Sequence, residues 1–219
     1  MPQPQTSTGN PDNRAASQAV AVEWHENPVG QEQQYRAAAY GMLAALLRAA
    51  PDRLLLDQVA QFAEVDDGGD EMALAMSLLG LAAERCSVES INDEFHALFI
   101  GIGRGELLPY GSFYLTGFLM EKPLGDLRDD LDRLGFERQA KVHEPEDHIA
   151  ALCEVMVMLI QEGSSIDVQR NFFVAHMDTW FDRFFADMSA AKNSVFFRAV
   201  ARFGAAFMEI EKHYLLSEV

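Results

Sequence analysis

The sequence predicts an all-α fold, with a single helical-bundle domain of about eight to ten helices. Apolar residues recur at steps of three and four along most of the chain, which is the spacing of one helix face. No stretch shows the alternating pattern of a half-buried strand, and valine and threonine clusters between turn residues are missing. With 49% hydrophobic residues, the chain is able to bury a substantial core despite a formal net charge of −17.

The first thirty residues differ in composition from the rest and predict a disordered N-terminal tail. Residues 1–30 are rich in Gln, Ser, Asn and Pro and lack helical or strand periodicity. They also lack the basic start and the apolar stretch of a signal peptide. Residues 31–219 are expected to form one all-helical domain, without an apolar window of about 18 residues that could span a membrane. We therefore expect a cytoplasmic protein.

Four helical segments are expected before residue 101, each bounded by proline, glycine or an aspartate. The first is expected from Gln31 to just before Pro51, and the second from Asp52 to the loop 66–69. The third and fourth are expected at 71–85 and 87–100. The glycines and the proline of 101–112 predict an irregular connection between helices.

The second half of the domain is expected to hold five more helices. They are predicted at 113–121, from Pro123 to a C-cap at Gly135, from Pro145 to Ile160, and as two long helices with apolar faces at 173–184 and 196–214. Pro145 is expected at the first helical position, with acidic residues in the first turn of its helix.

Several patterns are expected to be structural. The run 126–132 is interpreted as the solvated face of an amphipathic helix, and His176 as a hydrogen-bonded core histidine. A further set of aromatic side chains is expected in the core: Phe172, Phe173, Trp180, Phe181, Phe184 and Phe185.

Cysteine count and charge limit the classes of function. Cys86 and Cys153 form no CxxC motif, which excludes a disulfide scaffold and a Cys-rich zinc site. Reduced core thiols are expected, and a single disulfide is the alternative. The strongly negative charge disfavours nucleic acid and anionic membranes as partners and favours cationic ones.

Enzyme signatures are absent from the sequence. It contains no GxxxxGK[ST], GxSxG or HExxH motif, and the glycine-rich stretch 101–105 follows no strand. A di-iron site would need Glu-x-x-His on two helices, and the nearest approach, Asp93 to His96, occurs once. We expect neither an enzyme nor a bound cofactor.

The densest polar cluster runs from His143 to His148. Its carboxylates and imidazoles are suited to binding a guanidinium or ammonium group. A metal site would use His143, Glu146 and His148 at a nonstandard spacing. Spacing alone favours a third interpretation, a capped helix start with a solvated acidic turn.

Four segments carry a family resemblance, and they occur in the family's order. They are EFHALFIG at 94–101, PYGSFY at 109–114, EPEDH at 144–148 and QRNFFVAHMDTW at 169–180. Together they resemble the TorD/DmsD family of redox-enzyme maturation chaperones, which includes the NarJ-type proteins. The similarity extends from Gln31 to the C-terminus. Gly111 differs, because family members often carry an acidic residue there.

The resemblance implies an all-helical chaperone that is not an enzyme. Its partner would be the precursor of a molybdopterin-dependent oxidoreductase, such as a dimethyl sulfoxide or trimethylamine N-oxide reductase or a formate dehydrogenase, together with the twin-arginine leader peptide of that precursor. The chaperone would assist cofactor insertion and delay export, as a monomer or a helix-exchanged homodimer. A nucleotide- or metal-binding helical protein that uses the cluster 143–148 is the alternative.

The resemblance also implies which residues bind the peptide. They are Tyr110, Ser112, Tyr114, Glu144, Pro145, Asp147 and His148. Glu144 or Asp147 would pair with a leader arginine, and the two tyrosines would offer aromatic surface to its apolar stretch or stack on a guanidinium.

Overall fold

The computed structural model describes residues 30–66, 68–101, 104–137 and 143–217. The tail expected at 1–30 lies outside these ranges except for Gly30, as do two residues of the expected connection 101–112. Within these ranges the chain forms ten α-helices and no β-strand, which confirms the all-α prediction. In the same part of the chain, no helix combines the length and apolarity needed to cross a bilayer.

The helices follow one another with mostly short connections. They are α1 Gln31–Arg48, α2 Arg53–Ala60, α3 Glu71–Arg85, α4 Val88–Phe95, α5 Gly111–Thr116, α6 Lys122–Arg133, α7 Ile149–Gln161, α8 Ile166–His176, α9 Phe181–Ala190 and α10 Phe196–Leu216. A 3₁₀ turn at Gln61–Glu64 extends α2, and a π-helical turn at His96–Ile100 extends α4.

Side-chain caps fix several helix starts close to their predicted positions. Asp52 accepts the N–H of Leu55 at 2.9 Å, and Asp70 accepts that of Ala73 at 3.2 Å. The predicted span of α3 is confirmed at both ends. Gly135 follows α6 with a φ of 81°, which confirms the expected C-cap glycine.

The core lies between α1 and α7 and between α10 and its neighbours α3 and α9. All six aromatic side chains expected in the core are at most 3% exposed, which confirms that prediction. Cys153 is fully buried, Cys86 is partly buried, and both are free thiols. The amphipathic α6 is also confirmed, because Leu124 and Leu127 are buried while Asp126, Asp129 and Asp132 are exposed.

Two predicted helices were wrong in extent. The helix expected at 113–121 is the shorter α5, which ends at Thr116 because Gly117 turns the chain at a φ of 84°. The long helix expected across 173–184 is two helices, α8 and α9. The N–H groups of Met177 and Asp178 both bond to the carbonyl of Phe173, and this closes α8.

A buried polar cluster joins α1, α8 and α10. Arg36, 3% exposed, donates to both carboxylate oxygens of the fully buried Glu211 at 2.5 and 2.8 Å. It also donates to Gln169 of α8 at 2.7 Å, and Tyr40 donates to Glu211 at 3.1 Å. The cluster is internally satisfied, so it fixes the relative positions of three helices.

Candidate functional site

Two connecting segments lie side by side and bring two of the four motif segments together. The N–H of Gly111 donates to the carbonyl of Asp147 at 2.9 Å, and that of Ile149 donates to the carbonyl of Pro109 at 2.9 Å. This short antiparallel bridge pairs Tyr110 with His148. The start of α5 and the start of α7 are therefore one structural unit.

Asp147 lies inside this unit and is 3% exposed. Its Oδ2 accepts the N–H of Ser112 at 2.7 Å, so the carboxylate caps α5 rather than the helix that follows it in the chain. Ser112 is fully buried. Oδ1 of Asp147 has no hydrogen-bond partner among the residues that the structure describes. Neither side chain reaches solvent, so a peptide cannot contact them unless the segment opens.

His148 is the N-cap of α7. Its Nδ1 accepts the N–H of Ala150 at 3.2 Å, and the residue is 7% exposed. Burial, with a smaller contribution from the charge of Arg48, lowers the pKa of the imidazole to about 3. The ring is therefore neutral at physiological pH and holds the helix start.

The position expected for Pro145 was wrong. α7 begins at Ile149, and its first turn contains no acidic residue. Pro145 instead lies in the preceding turn, where its carbonyl accepts the N–H of His148 at 3.2 Å. The turn leaves Glu144 and Glu146 partly exposed beside α6. The expected first helical turn would instead have placed both side chains along α7.

Tyr110 and Glu144 form the polar edge of the unit. The hydroxyl of Tyr110 donates to Oε1 of Glu144, and the tyrosine ring meets His148 edge-on with centroids 5.2 Å apart. Burial, followed by the Glu144 contact, raises the pKa of Tyr110 above its usual range. Tyr110 therefore stays protonated and aims the carboxylate of Glu144.

A groove of about 720 Å³ opens between α6, α7 and the segment that precedes α7. Leu131, Phe136, Val155 and Met158 are its apolar side chains of largest size. Among the residues that the structure describes, its charged lining consists of five carboxylates, Asp132, Glu137, Glu144, Glu146 and Glu154, against the two guanidinium groups of Arg48 and Arg128. This described lining therefore has an excess of acidic side chains and an apolar interior.

Two ion pairs cross the groove rim. Arg128 donates to Oε2 of Glu146 from Nε at 3.0 Å and from Nη2 at 2.8 Å, which joins α6 to the turn before α7. Arg48 of α1 pairs with Glu154 of α7. The Glu154 side chain is 47% exposed and that of Glu146 is 16% exposed, so an incoming cation reaches Glu154 directly and Glu146 only when Arg128 moves away.

Tyr114 lies apart from this groove. Its ring stacks on Trp180, with centroids 5.3 Å apart and an interplanar angle of 29°, and its hydroxyl donates to Asp187 at 3.1 Å. It lines a smaller depression of about 370 Å³ with Phe113 and Glu106. Of the seven residues implied as peptide-binding, Glu144 and Pro145 line the groove and Tyr110 borders it through Glu144.

For the metal-binding alternative, the described ranges contain no assembled set of ligands. No group of three His, Cys, Asp or Glu side chains there is placed to hold a metal ion. Nδ1 of His148 is engaged by its own helix, and Glu146 is paired with Arg128.

The first motif segment has an architectural role that sequence reasoning missed. The carboxylate of Glu94 accepts three N–H groups at the start of α10, from Val195 and Phe197 at 2.8 Å and from Phe196 at 3.0 Å. A carboxylate at that point also complements the dipole of α10. Glu94 and α10 lie about a hundred residues apart in the sequence, so no local signal marks this contact.

The fourth motif segment also holds the fold together. His176, with its side chain 8% exposed, bonds to Asp130 of α6 at 2.8 Å, which confirms it as a satisfied core histidine. The indole N–H of Trp180 donates to the carbonyl of His176 at 2.8 Å. A Cβ at Gly111 would lie 3.2 Å from that indole nitrogen, so the lack of a side chain lets α5 approach Trp180.

Comparison with known proteins places residues 63–186 in the family described as nitrate reductase delta subunit. The chaperone protein TorD of Aliivibrio salmonicida is 29% identical over 140 residues, which cover 58% of this chain and 65% of that protein. TorD of Aliivibrio fischeri is 27% identical over 207 residues, covering 84% of this chain and 96% of the relative. A Haemophilus influenzae protein named as a Tat proofreading chaperone, DmsD, is 30% identical and covers 52% of this chain and 56% of its own length.

A solved structure shares the fold. It is described as a redox enzyme maturation protein from Archaeoglobus fulgidus, and it superimposes with a TM-score of 0.54 at 21% sequence identity. The match covers 80% of this chain and 93% of that one. At this identity the likeness concerns the arrangement of helices.

Proposed function

Because this chain belongs to the nitrate reductase delta subunit family, together with the TorD and DmsD chaperones, we propose that it binds the precursor of a molybdopterin-dependent oxidoreductase in the cytoplasm. Family membership makes it a redox-enzyme maturation chaperone rather than an enzyme. Its client is proposed to be a dimethyl sulfoxide or trimethylamine N-oxide reductase or a formate dehydrogenase. Binding would hold the precursor until its cofactor is inserted and so delay export.

The observation that carries the recognition proposal is the charge of the α6–α7 groove. A twin-arginine leader brings two guanidinium groups followed by an apolar stretch. In the described part of its lining, the groove offers five carboxylates against two guanidinium groups. Arginine pairs with carboxylates through two parallel hydrogen bonds, and this geometry favours it over lysine. We assign the first contact to Glu144, which Tyr110 orients, and the second to Glu146, where a leader arginine would displace Arg128.

The buried residues of the implied site take a positioning role in this proposal. Asp147 caps α5 through Ser112, and His148 caps α7. Together they fix the turn that carries Glu144 and Pro145. Substituting them is therefore expected to weaken peptide binding through loss of order in the turn, with a drop in thermal stability that substitution of Glu144 would not cause.

Calorimetric titration with a synthetic twin-arginine leader tests the proposal. The leader should come from the molybdopterin oxidoreductase encoded nearest to this gene, with a second peptide in which both arginines are lysines as the control. We expect the lysine peptide to bind roughly tenfold more weakly, since each bidentate contact becomes a single one. Absence of binding to the arginine peptide at low salt would contradict leader recognition.

A further inference from the structure

A cluster of exposed apolar side chains follows α5. Of twelve large apolar side chains that are exposed in the described part of the chain, four lie within 115–120. They are Leu115 at 44%, Phe118 at 69%, Leu119 at 43% and Met120 at 71% exposed. We call these four residues the apolar ledge. Apolar surface concentrated in this way is uncommon on a protein with no partner for it.

The backbone of the ledge is held in place although its side chains face water. The N–H of Met120 donates to Oγ of the buried Ser112 at 3.2 Å. The hydroxyl of Thr116 bonds to the carbonyl of Ser112 at 2.8 Å and accepts the N–H of Phe118 at 3.2 Å. The ledge is thus a fixed turn rather than a loose loop.

Met120 adds a conformational cost to this turn. Its φ of 60° makes it the one non-glycine residue with positive φ in the ranges that the structure describes. A side chain in that region costs about 1 kcal/mol or more, and such outliers persist where the surrounding structure enforces them. Here the enforcing contact is the bond to Ser112, whose own N–H is held by Asp147.

From the exposure and the fixed backbone of this turn, we propose that the apolar ledge docks the apolar stretch of the leader whose arginines bind the groove. The inference rests on the proposed function and extends it, because it assigns the two chemical parts of the leader to two surfaces. Ser112 and Asp147 link the ledge to the turn that carries Glu144. Methionine and phenylalanine suit this task, because a flexible thioether and a flat ring adapt to leaders of different sequence.

The charges around the ledge favour a cationic polypeptide as its occupant. No basic residue occurs between 113 and 121, and Glu121 follows the ledge directly. Nearby cations have partners of their own: Lys122 pairs with Asp126 at 2.6 Å, and Arg183 and Arg104 lie over the rings of Tyr114 and Phe113. The net charge of −17 opposes contact with an anionic membrane or with a second copy of this chain.

A cross of two chaperone variants with two peptides tests the inference. The test variant combines Phe118→Ser with Met120→Ser. The control variant combines Leu54→Ser with Val195→Ser, whose side chains are 69% and 70% exposed elsewhere on the surface. Both peptides keep the arginine pair, and in one of them serines replace the leucines of the apolar stretch. Circular dichroism and thermal melting check that each variant folds as the parent does.

We expect the test variant to bind the intact leader roughly tenfold more weakly than the parent does. The serine-substituted leader should bind the test variant and the parent with the same affinity. The control variant should bind both peptides as the parent does. Parent-like binding of the intact leader by the test variant would overturn the ledge assignment and leave groove recognition standing. Failure of the parent to bind either peptide would instead overturn the proposed function as well.

Two further measurements distinguish other occupants. Loss of a parent dimer in the test variant, seen by light scattering, would overturn the proposal in favour of a second copy of the chain. Loss of parent binding to phosphatidylglycerol vesicles would overturn it in favour of a lipid surface. The proposal is supported if the parent is monomeric and does not bind vesicles, and if the test variant alone loses affinity for the leader.

Discussion

The buried imidazole of His148 makes folding stability depend on pH. Its pKa lies near 3 in the folded chain, against an ordinary value of 6.5, because burial penalises the charged form. As the pH falls below about 6.5, His148 becomes protonated in the unfolded chain but stays neutral in the folded chain. Folding stability is therefore lost progressively between about pH 6.5 and about pH 3. Between neutral pH and about pH 5 this loss amounts to about 2 kcal/mol.

Replacement of His148 by asparagine is expected to remove this pH dependence. Asparagine keeps an oxygen that can cap α7 but does not titrate. Urea unfolding at about pH 7 and about pH 5 should show the variant losing about 2 kcal/mol less than the parent over that interval. An identical loss in both proteins would mean that other groups carry the acid sensitivity.

At the scale of helices, breaking the buried polar cluster between α1, α8 and α10 is expected to cause the largest loss of unfolding free energy. Glu211→Ala would leave the guanidinium of Arg36 buried without its carboxylate, and the expected loss is about 3–5 kcal/mol of unfolding free energy. Urea denaturation measures it. The control is Asp57→Ala, which removes an exposed ion pair with Arg53 and should change stability by less than about 1 kcal/mol. Comparable losses in the two variants would contradict this account.

Local sequence signals predicted helices well where the capping residue and the apolar period agree. Asp70 caps the start of α3, and the apolar period of the helix continues towards Arg85, so both ends were predictable. The break between α8 and α9 was not, because the apolar spacing of Phe173, Met177 and Trp180 continues in phase across it. Pro145 fits either a first helical position or a turn, and contacts outside the local pattern, the bond of Asp147 to the start of α5 and the capping of α7 by His148, decide for the turn.

The candidate site was predictable as a pair of segments but not as a surface. The resemblance named residues 109–114 and 144–148, and the structure lays these segments side by side. The resemblance did not indicate that Ser112, Asp147 and His148 are buried, since burial depends on chain segments distant in sequence. For the same reason, no sequence signal indicated that the side chains of Leu131, Phe136 and Met158 line one groove.

Over the whole molecule, the excess of 34 acidic over 17 basic side chains should accelerate encounter with a cationic leader. Stopped-flow association with the arginine leader should slow roughly tenfold between low salt and about 0.5 M salt, because the Debye length shrinks. A leader with glutamines at both arginine positions is the control and should show a much weaker salt dependence. A salt-independent rate for the arginine leader would contradict electrostatic steering.

The most direct test of groove recognition is a double-mutant cycle between Glu144 and the leader arginines. Dissociation constants are measured for the parent and Glu144→Gln, each with the arginine leader and with a leader in which the first or the second arginine is glutamine. Glu84→Gln, an exposed carboxylate of α3 outside the groove lining, serves as the matched control. We predict a coupling of about 1 kcal/mol or more between Glu144 and one arginine, and none for Glu84. Additive losses at Glu144 with both arginines would contradict the central claim that this groove binds the twin-arginine pair.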